Sequence, residues 1–162
     1  MPDGNPPPIR GCSYQSSMGF DYGLAVRAIE TVKNLLTYLV IGPPLIKRGP
    51  KGEIHVDVPL MYQGFALDRI HYDPLSGTPS PKGRPVRALG VSVSPEQVKK
   101  NMDKIISELR VVEAVEFREP ENAWVVPIAW KYLIIAHIKV SYDGSEIIPD
   151  YGLTEEVRRY VA

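Results

Sequence analysis

The stretch "WVVPIAWKYLIIAHIKVSYDG", Trp124–Gly144, is the most apolar part of the chain, and its reading decides the fold. A membrane-spanning helix needs roughly 20 mostly apolar residues. Here Lys131, His137 and Lys139 interrupt the run, and Pro127 would disturb a helix. From Ala136 the pattern has period two. Ala136, Ile138, Val140 and Tyr142 share one face, and His137, Lys139 and Ser141 share the other. The stretch therefore reads as a hairpin, with its turn near Lys131–Leu133.

An earlier segment, "VPLMYQGFALDRIHYD" from Val58, repeats this pattern. Val58-Pro59 matches Val126-Pro127, Leu60 matches Ile128 and Tyr62 matches Trp130. A two-residue insertion in the second copy then aligns Ala66 with Ala136, Arg69 with Lys139, Ile70 with Val140, and Tyr72-Asp73 with Tyr142-Asp143. A hairpin turn that has lengthened accounts for such an insertion. In this alignment His137 falls opposite Leu67 and reads as a polar residue on a wet strand face. Each copy reaches a glycine soon after, Gly77 and Gly144, and "DYGL" occurs twice, at Asp21 and at Asp150.

Amphipathic helices precede both hairpins. In "DYGLAVRAIETVKNLLTYLV", Ala25, Ala28, Ile29, Val32, Leu35, Leu36 and Leu39 recur at helical spacing. In "SPEQVKKNMDKIISEL", Ser94 is the expected N-cap, Pro95 the first helical residue and Gln97 the partner in a capping box. Val98, Met102, Ile105, Ile106 and Leu109 form its apolar stripe. "GPPLIKRGPKG" and "PLSGTPSPKGRP" read as loops, "VVEAVEFRE" as a strand, and "DYGLTEEVRRYVA" as a closing helix that Thr154 could cap.

The expected fold is α+β, with two pseudo-repeated units that each lay an amphipathic helix on an antiparallel hairpin or small sheet. Residues 1–20, rich in Pro, Gly and Ser, form an expected mobile arm. The units span 21–90 and 91–162 and share one core. The valine-prolines of the two hairpins cannot donate to a ladder, so Pro59 and Pro127 should mark edges, strand starts or bulges.

Lys and Arg equal Asp and Glu at 19 each, which argues against a surface devoted throughout to nucleic acid or anionic lipid. Hydrophobic residues at 44% and charged residues at 23% are ordinary for a globular domain. One cysteine, Cys12, excludes an intrachain disulfide, and its only charged neighbour is Arg10. The N-terminal sequence lacks the basic start and apolar stretch of a signal peptide, so a cytoplasmic protein is expected. Sixteen prolines against few Gln and Asn give a thermophile-like balance.

From about Val93 to Asp150 the second unit runs helix, strand, strand, strand, with a tryptophan opening one strand and Asp143-Gly144 closing the last. It resembles a PepSY-type, cystatin-like unit, a helix packed across an antiparallel sheet. That family often ends its last strand in an Asp-x-x-x-Gly turn, to which Asp73-Pro-Leu-Ser-Gly77 is closer. The first copy departs from the pattern, because "GPPLIKRGPKG" stands where a sheet strand belongs. The resemblance implies an interaction or inhibitory module, often outside the cytoplasm or joined to larger chains, with no catalytic residue to carry over.

The first functional expectation is thus a non-enzymatic protein-interaction or assembly module, with self-association as a homodimer one form of it, no cofactor and no membrane. An alternative is single-stranded nucleic-acid binding through the basic loops 47–51 and 82–87, by Lys47, Arg48, Lys51, Lys82, Arg84 and Arg87. A second alternative is a small-ligand or metal-binding protein. None of His55, His71 and His137 has a His-x-x-x-His or Cys-x-x-Cys partner. His55 and His71 nevertheless lie on adjacent expected strands and could meet across the hairpin, with Asp57, Asp68 or Asp73 as the carboxylate.

Overall fold

The computed structural model describes residues 5–10 and 20–161. In chain order the elements are α1 (Tyr22–Leu35), β1 (Val40–Ile41), β2 (Leu45–Arg48), β3 (Ile54–Tyr62), β4 (Phe65–Asp73), β5 (Thr78–Pro79), α2 (Pro95–Ile106), β6 (Arg110–Val111), β7 (Glu116–Arg118), β8 (Ala123–Trp130), β9 (Leu133–Ser141), β10 (Ile147–Ile148) and α3 (Tyr151–Val161). No helix among them is long and apolar enough to cross a membrane. The strands form two five-stranded antiparallel sheets. One pairs β1 and β2 with β3, then β4, then β5; the other pairs β6 and β7 with β8, then β9, then β10.

The internal repeat is real, and its register is stricter than the sequence alignment suggests. Val40–Ile41 pairs with Met61–Leu60, and Arg110–Val111 pairs with Ala129–Ile128. Lys47 faces His55 as Arg118 faces Ala123. Tyr72 faces Pro79 as Val140 faces Ile147. Within the hairpins Tyr62 pairs with Phe65 and Trp130 with Leu133, so both have two-residue turns. Each then breaks register at the same place, between Leu60 and Met61 and between Ile128 and Ala129, leaving Leu67 and Ile135 as the extra residues of two bulges. The expected two-residue insertion is therefore absent. Arg69 corresponds to His137, not to Lys139, and Leu67 corresponds to Ile135, not to His137. A bulge adds a residue to one strand and reverses its alternation, but both copies carry one at the same place, so Ala66 corresponds to Ile134 and not to Ala136.

The prolines sit in central strands, so they block no edge. Pro59 lies between the part of β3 that pairs with β1 and the part that pairs with β2, and its carbonyl accepts the amide of Gly42. Pro127 repeats this, accepting the amide of Val112 between β6 and β7. A missing N–H is harmless where the neighbouring strand is itself interrupted. The loop expected over "GPPLIKRGPKG" contains β1's exit and all of β2, the loop after β4 contains β5, and the single strand expected over "VVEAVEFRE" divides into β6 and β7.

Each helix covers the sheet of the other unit. α1 lies against β6, β8 and β9, whereas α2 lies against β1 and β5. Ala25, Ala28, Val32 and Leu35 of α1 and Val98, Met102 and Ile105 of α2 enter one continuous core with Tyr62, Ile70, Trp124 and Ile138. Both "DYGL" copies start helices in the same way: Asp21 Oδ1 accepts the amide of Leu24, and Asp150 Oδ1 that of Leu153. Asp150 is therefore the cap of α3. Thr154, expected in that role, instead donates to Asp150 O and accepts the amide of Ala66. Ser94 caps α2, but the Gln97 amide turns along the helix to Asn101 and closes no capping box.

The two sheets adjoin along β4 and β9. The amide of Lys82 donates to Ile134 O, and the equivalent amide of Asp150 donates to Ala66 O. Of the arm expected over residues 1–20, residues 5–10 include a docked piece. Ile9 bridges Ile147 in parallel, and Pro7 O accepts the hydroxyl of buried Tyr62.

Candidate metal centre

The strands β3 and β4 place three histidine and aspartate side chains on one face. His55 and Asp57 alternate along β3, and His71 lies directly opposite Asp57 on β4. His55 Nε2 is 2.9 Å and His71 Nδ1 2.8 Å from the same oxygen, Asp57 Oδ1. The three donor atoms all lie within 4.8 Å of one another. Far from being on a wet face, Asp57 is only 2% exposed. The other nitrogen of His55, Nδ1, is buried and meets no hydrogen-bonding partner among the described residues.

Charged groups brace the cluster from behind. Arg69 Nη1 donates to Asp57 Oδ2 at 2.7 Å, and Arg69 Nη2 donates to Glu156 Oε2 of α3 at 2.7 Å. Lys47 Nζ, from β2, closes the chain on Glu156 Oε1 at 2.7 Å. Burial alone would push the Asp57 carboxyl up, but the hydrogen bonds from His71, Arg69 and His55 outweigh it and hold the group below the usual carboxylate range. Glu156 is held low by Lys47 and then Arg69. Burial opposes the charge on Arg69, yet Asp57 and Glu156 raise its pKa further.

The repeat offers an internal control. Residues 68 positions later build the same strands with Ala123, Val125 and Lys139 where the first sheet has His55, Asp57 and His71. The architecture thus forms without the cluster. A buried carboxylate with two imidazoles is costly to assemble, and nothing in the folding pattern of these hairpins requires it.

Three donors of types N, N and O, close together on rigid strands, suit a divalent metal of the zinc, iron or cobalt kind. Metal–ligand bonds of about 2.0–2.2 Å would replace the two histidine–aspartate hydrogen bonds and draw the ring nitrogens together. Arg69 already occupies Asp57 Oδ2, which leaves Oδ1 as the ligand atom and supplies the outer partner that metal carboxylates commonly have.

The remaining candidates lie elsewhere. Asp73 Oδ1 accepts the amide of Leu75 in the turn after β4. Asp68 belongs to the seam between the sheets: it accepts the amides of Arg69 and His137 and both oxygens meet Lys82 Nζ at 2.7 Å. A cavity of ≈ 190 Å³ beside it is lined by Leu67, Asp68, Lys82, Arg118, His137, Lys139 and Asp150. Burial, and then the Lys82 charge, lower the pKa of His137. Of the six basic loop residues, Lys47, Arg48 and Arg87 line a second cavity, of ≈ 270 Å³, next to His55. Lys82 is turned to Asp68, Arg84 and Lys51 are exposed, and Lys51 meets Glu53 through its main-chain amide. Cys12 lies outside the described residues.

Arg69 and Glu156, which complete the cluster, escaped the sequence reading. The signal for Arg69 was its place two residues before His71, on the same face of β4. Glu156 had none, because only the docking of α3 on β4 brings it there. No family model, PepSY-type domains included, no curated protein and no solved structure matches this chain.

Proposed function

We propose that the protein binds a divalent transition metal through His55 Nε2, Asp57 Oδ1 and His71 Nδ1. The carrying observation is the convergence of these three donor atoms within 4.8 Å on one sheet face, at positions that are Ala123, Val125 and Lys139 in the second unit.

Metal uptake by the chelator-treated full chain tests this. Titration calorimetry with Zn²⁺ or Co²⁺ should show one equivalent bound, with protons released as the ligands lose them. His55→Ala and His71→Ala should each weaken binding at least tenfold, on the order of what the loss of one ligand costs. Uptake by the wild type no tighter than by the double variant His55→Ala/His71→Ala would remove the proposal.

A further inference from the structure

We infer that the cavity beside His55 binds a small oxyanion, a phosphate or a carboxylate, as a partner of the metal site. This rests on the metal reading and extends it to a ligand class. The cavity holds ≈ 270 Å³ and is lined by Lys47, Arg48, Gly49, Pro50, Glu53, His55 and Arg87. Small-molecule sites run from roughly 300 Å³ upward, so this one suits a compact ligand. His55 belongs to both places: its Nε2 is in the donor cluster and its ring lines the cavity wall.

The charges favour an anion. Lys47, Arg48 and Arg87 come to the cavity from β2, its end, and the strand-like piece at Ala88 that bridges Ile54. Lys47 is engaged by Glu156, whereas Arg48 and Arg87 are exposed and form no ion pair with a described residue. Glu53 is the single carboxylate on the wall, and its Oε2 already accepts the amide of Lys51. Two guanidiniums are therefore left facing open space. Guanidinium presents paired N–H donors that match carboxylate and phosphate oxygens. A divalent ion in the cluster would add charge that Asp57 cannot cancel while Arg69 also leans on it, and an oxyanion in the adjoining cavity would offset part of that charge.

The test uses the full chain loaded with Co²⁺, read by its visible absorption and by calorimetry, with inorganic phosphate and succinate as separate probes. One of the two should bind at least tenfold more tightly to the loaded than to the metal-free protein and shift the cobalt bands. Which one does so identifies the source of the oxyanion. The exposed pair Arg48→Ala/Arg87→Ala should weaken that anion at least tenfold while leaving Co²⁺ affinity within twofold. Cobalt binding with no response to either anion would overturn the inference and leave the metal reading intact. No cobalt binding would end the metal reading. The cavity would then survive only if phosphate or succinate still bound the metal-free chain and the double variant lost it; otherwise it falls as well.

Discussion

Asp57 holds a negative charge at a position where the other unit of the same chain has Val125. Its two oxygens divide the work: Oδ1 meets both histidines and Oδ2 meets Arg69. The consequence is a pH dependence with a defined sign. The folded-state pKa lies below the ordinary value of 3.8, so Asp57 contributes stability that is present above that value and is lost as pH falls through the folded pKa. Asp57→Asn should lower stability at neutral pH by about 1–3 kcal/mol, because Arg69, His55 and His71 lose their charged partner. It should also flatten the acid limb below about pH 4, since no group at that position then titrates. Chemical denaturation at a series of pH values measures both. An acid limb as steep in the variant as in the wild type would show that other carboxylates set it.

The elements were legible where period and punctuation agreed. Ser94 announces α2, and both stripes, Ile29 excepted, enter or pack against the core. Strands of two to four residues were not legible, because β2 and β5 sit among prolines and glycines that ordinarily mark loops. The match of Ala66 with Ala136 concealed the true register of β4 and β9, and with it the counterpart of His71. His55 and Asp57 stand against Ala123 and Val125 with or without the gap, and closing the gap sets His71 against Lys139 in place of Ser141. The pairing of His55 with His71 across the hairpin could be foreseen, but the choice of Asp57 over Asp73 required the burial of the sheet face.

The two glycines after the hairpins show the helix exchange at close range. Gly144 has φ +78°, and a Cβ there would lie 3.0 Å from Arg27 Cβ and 3.1 Å from the backbone nitrogen of Ala28, both on α1. Its carbonyl accepts Thr31 Oγ1 at 2.5 Å. Gly77 has φ +73° and faces α2, but a Cβ there would meet only side-chain ends, Asn101 Nδ2 at 3.1 Å and the Tyr72 hydroxyl at 3.6 Å. Gly77→Ala should therefore cost about 1–2 kcal/mol, the strain of a left-handed alanine. Gly144→Ala should cost about 2–4 kcal/mol, because helix backbone must also move. Urea midpoints order the two; equal losses would mean that α1 shifts freely against β9.

At the scale of the whole molecule, the exchange decides how the chain folds. α1 is nearest in sequence to the first sheet, yet its buried residues Ala28, Val32 and Leu35 rest on the second. α2 reverses the relation, α3 returns from the second unit to cover β4, and Pro8 and Arg10 pair with Ile147 at β10. Every sheet thus depends on segments from both halves. A sheet stripped of its covering helix exposes one apolar face, which a chain of this size cannot sustain. Fragments 1–90 and 91–162 should each lack the dispersed amide spectrum of a folded protein, although each contains a helix, a hairpin and a full set of strands. Mixed in equal amounts they should regain it, together with a single cooperative unfolding transition. The proposed metal site follows the same rule, since His55, Asp57 and His71 lie in the first fragment while Glu156, which anchors Arg69, lies in the second. The first fragment alone should bind Co²⁺ at least tenfold more weakly than the mixture, as loss of an outer-shell partner commonly does. A first fragment that folded and bound metal by itself would show that the two units are independent domains in contact, and the exchange of helices would then be packing without consequence for folding.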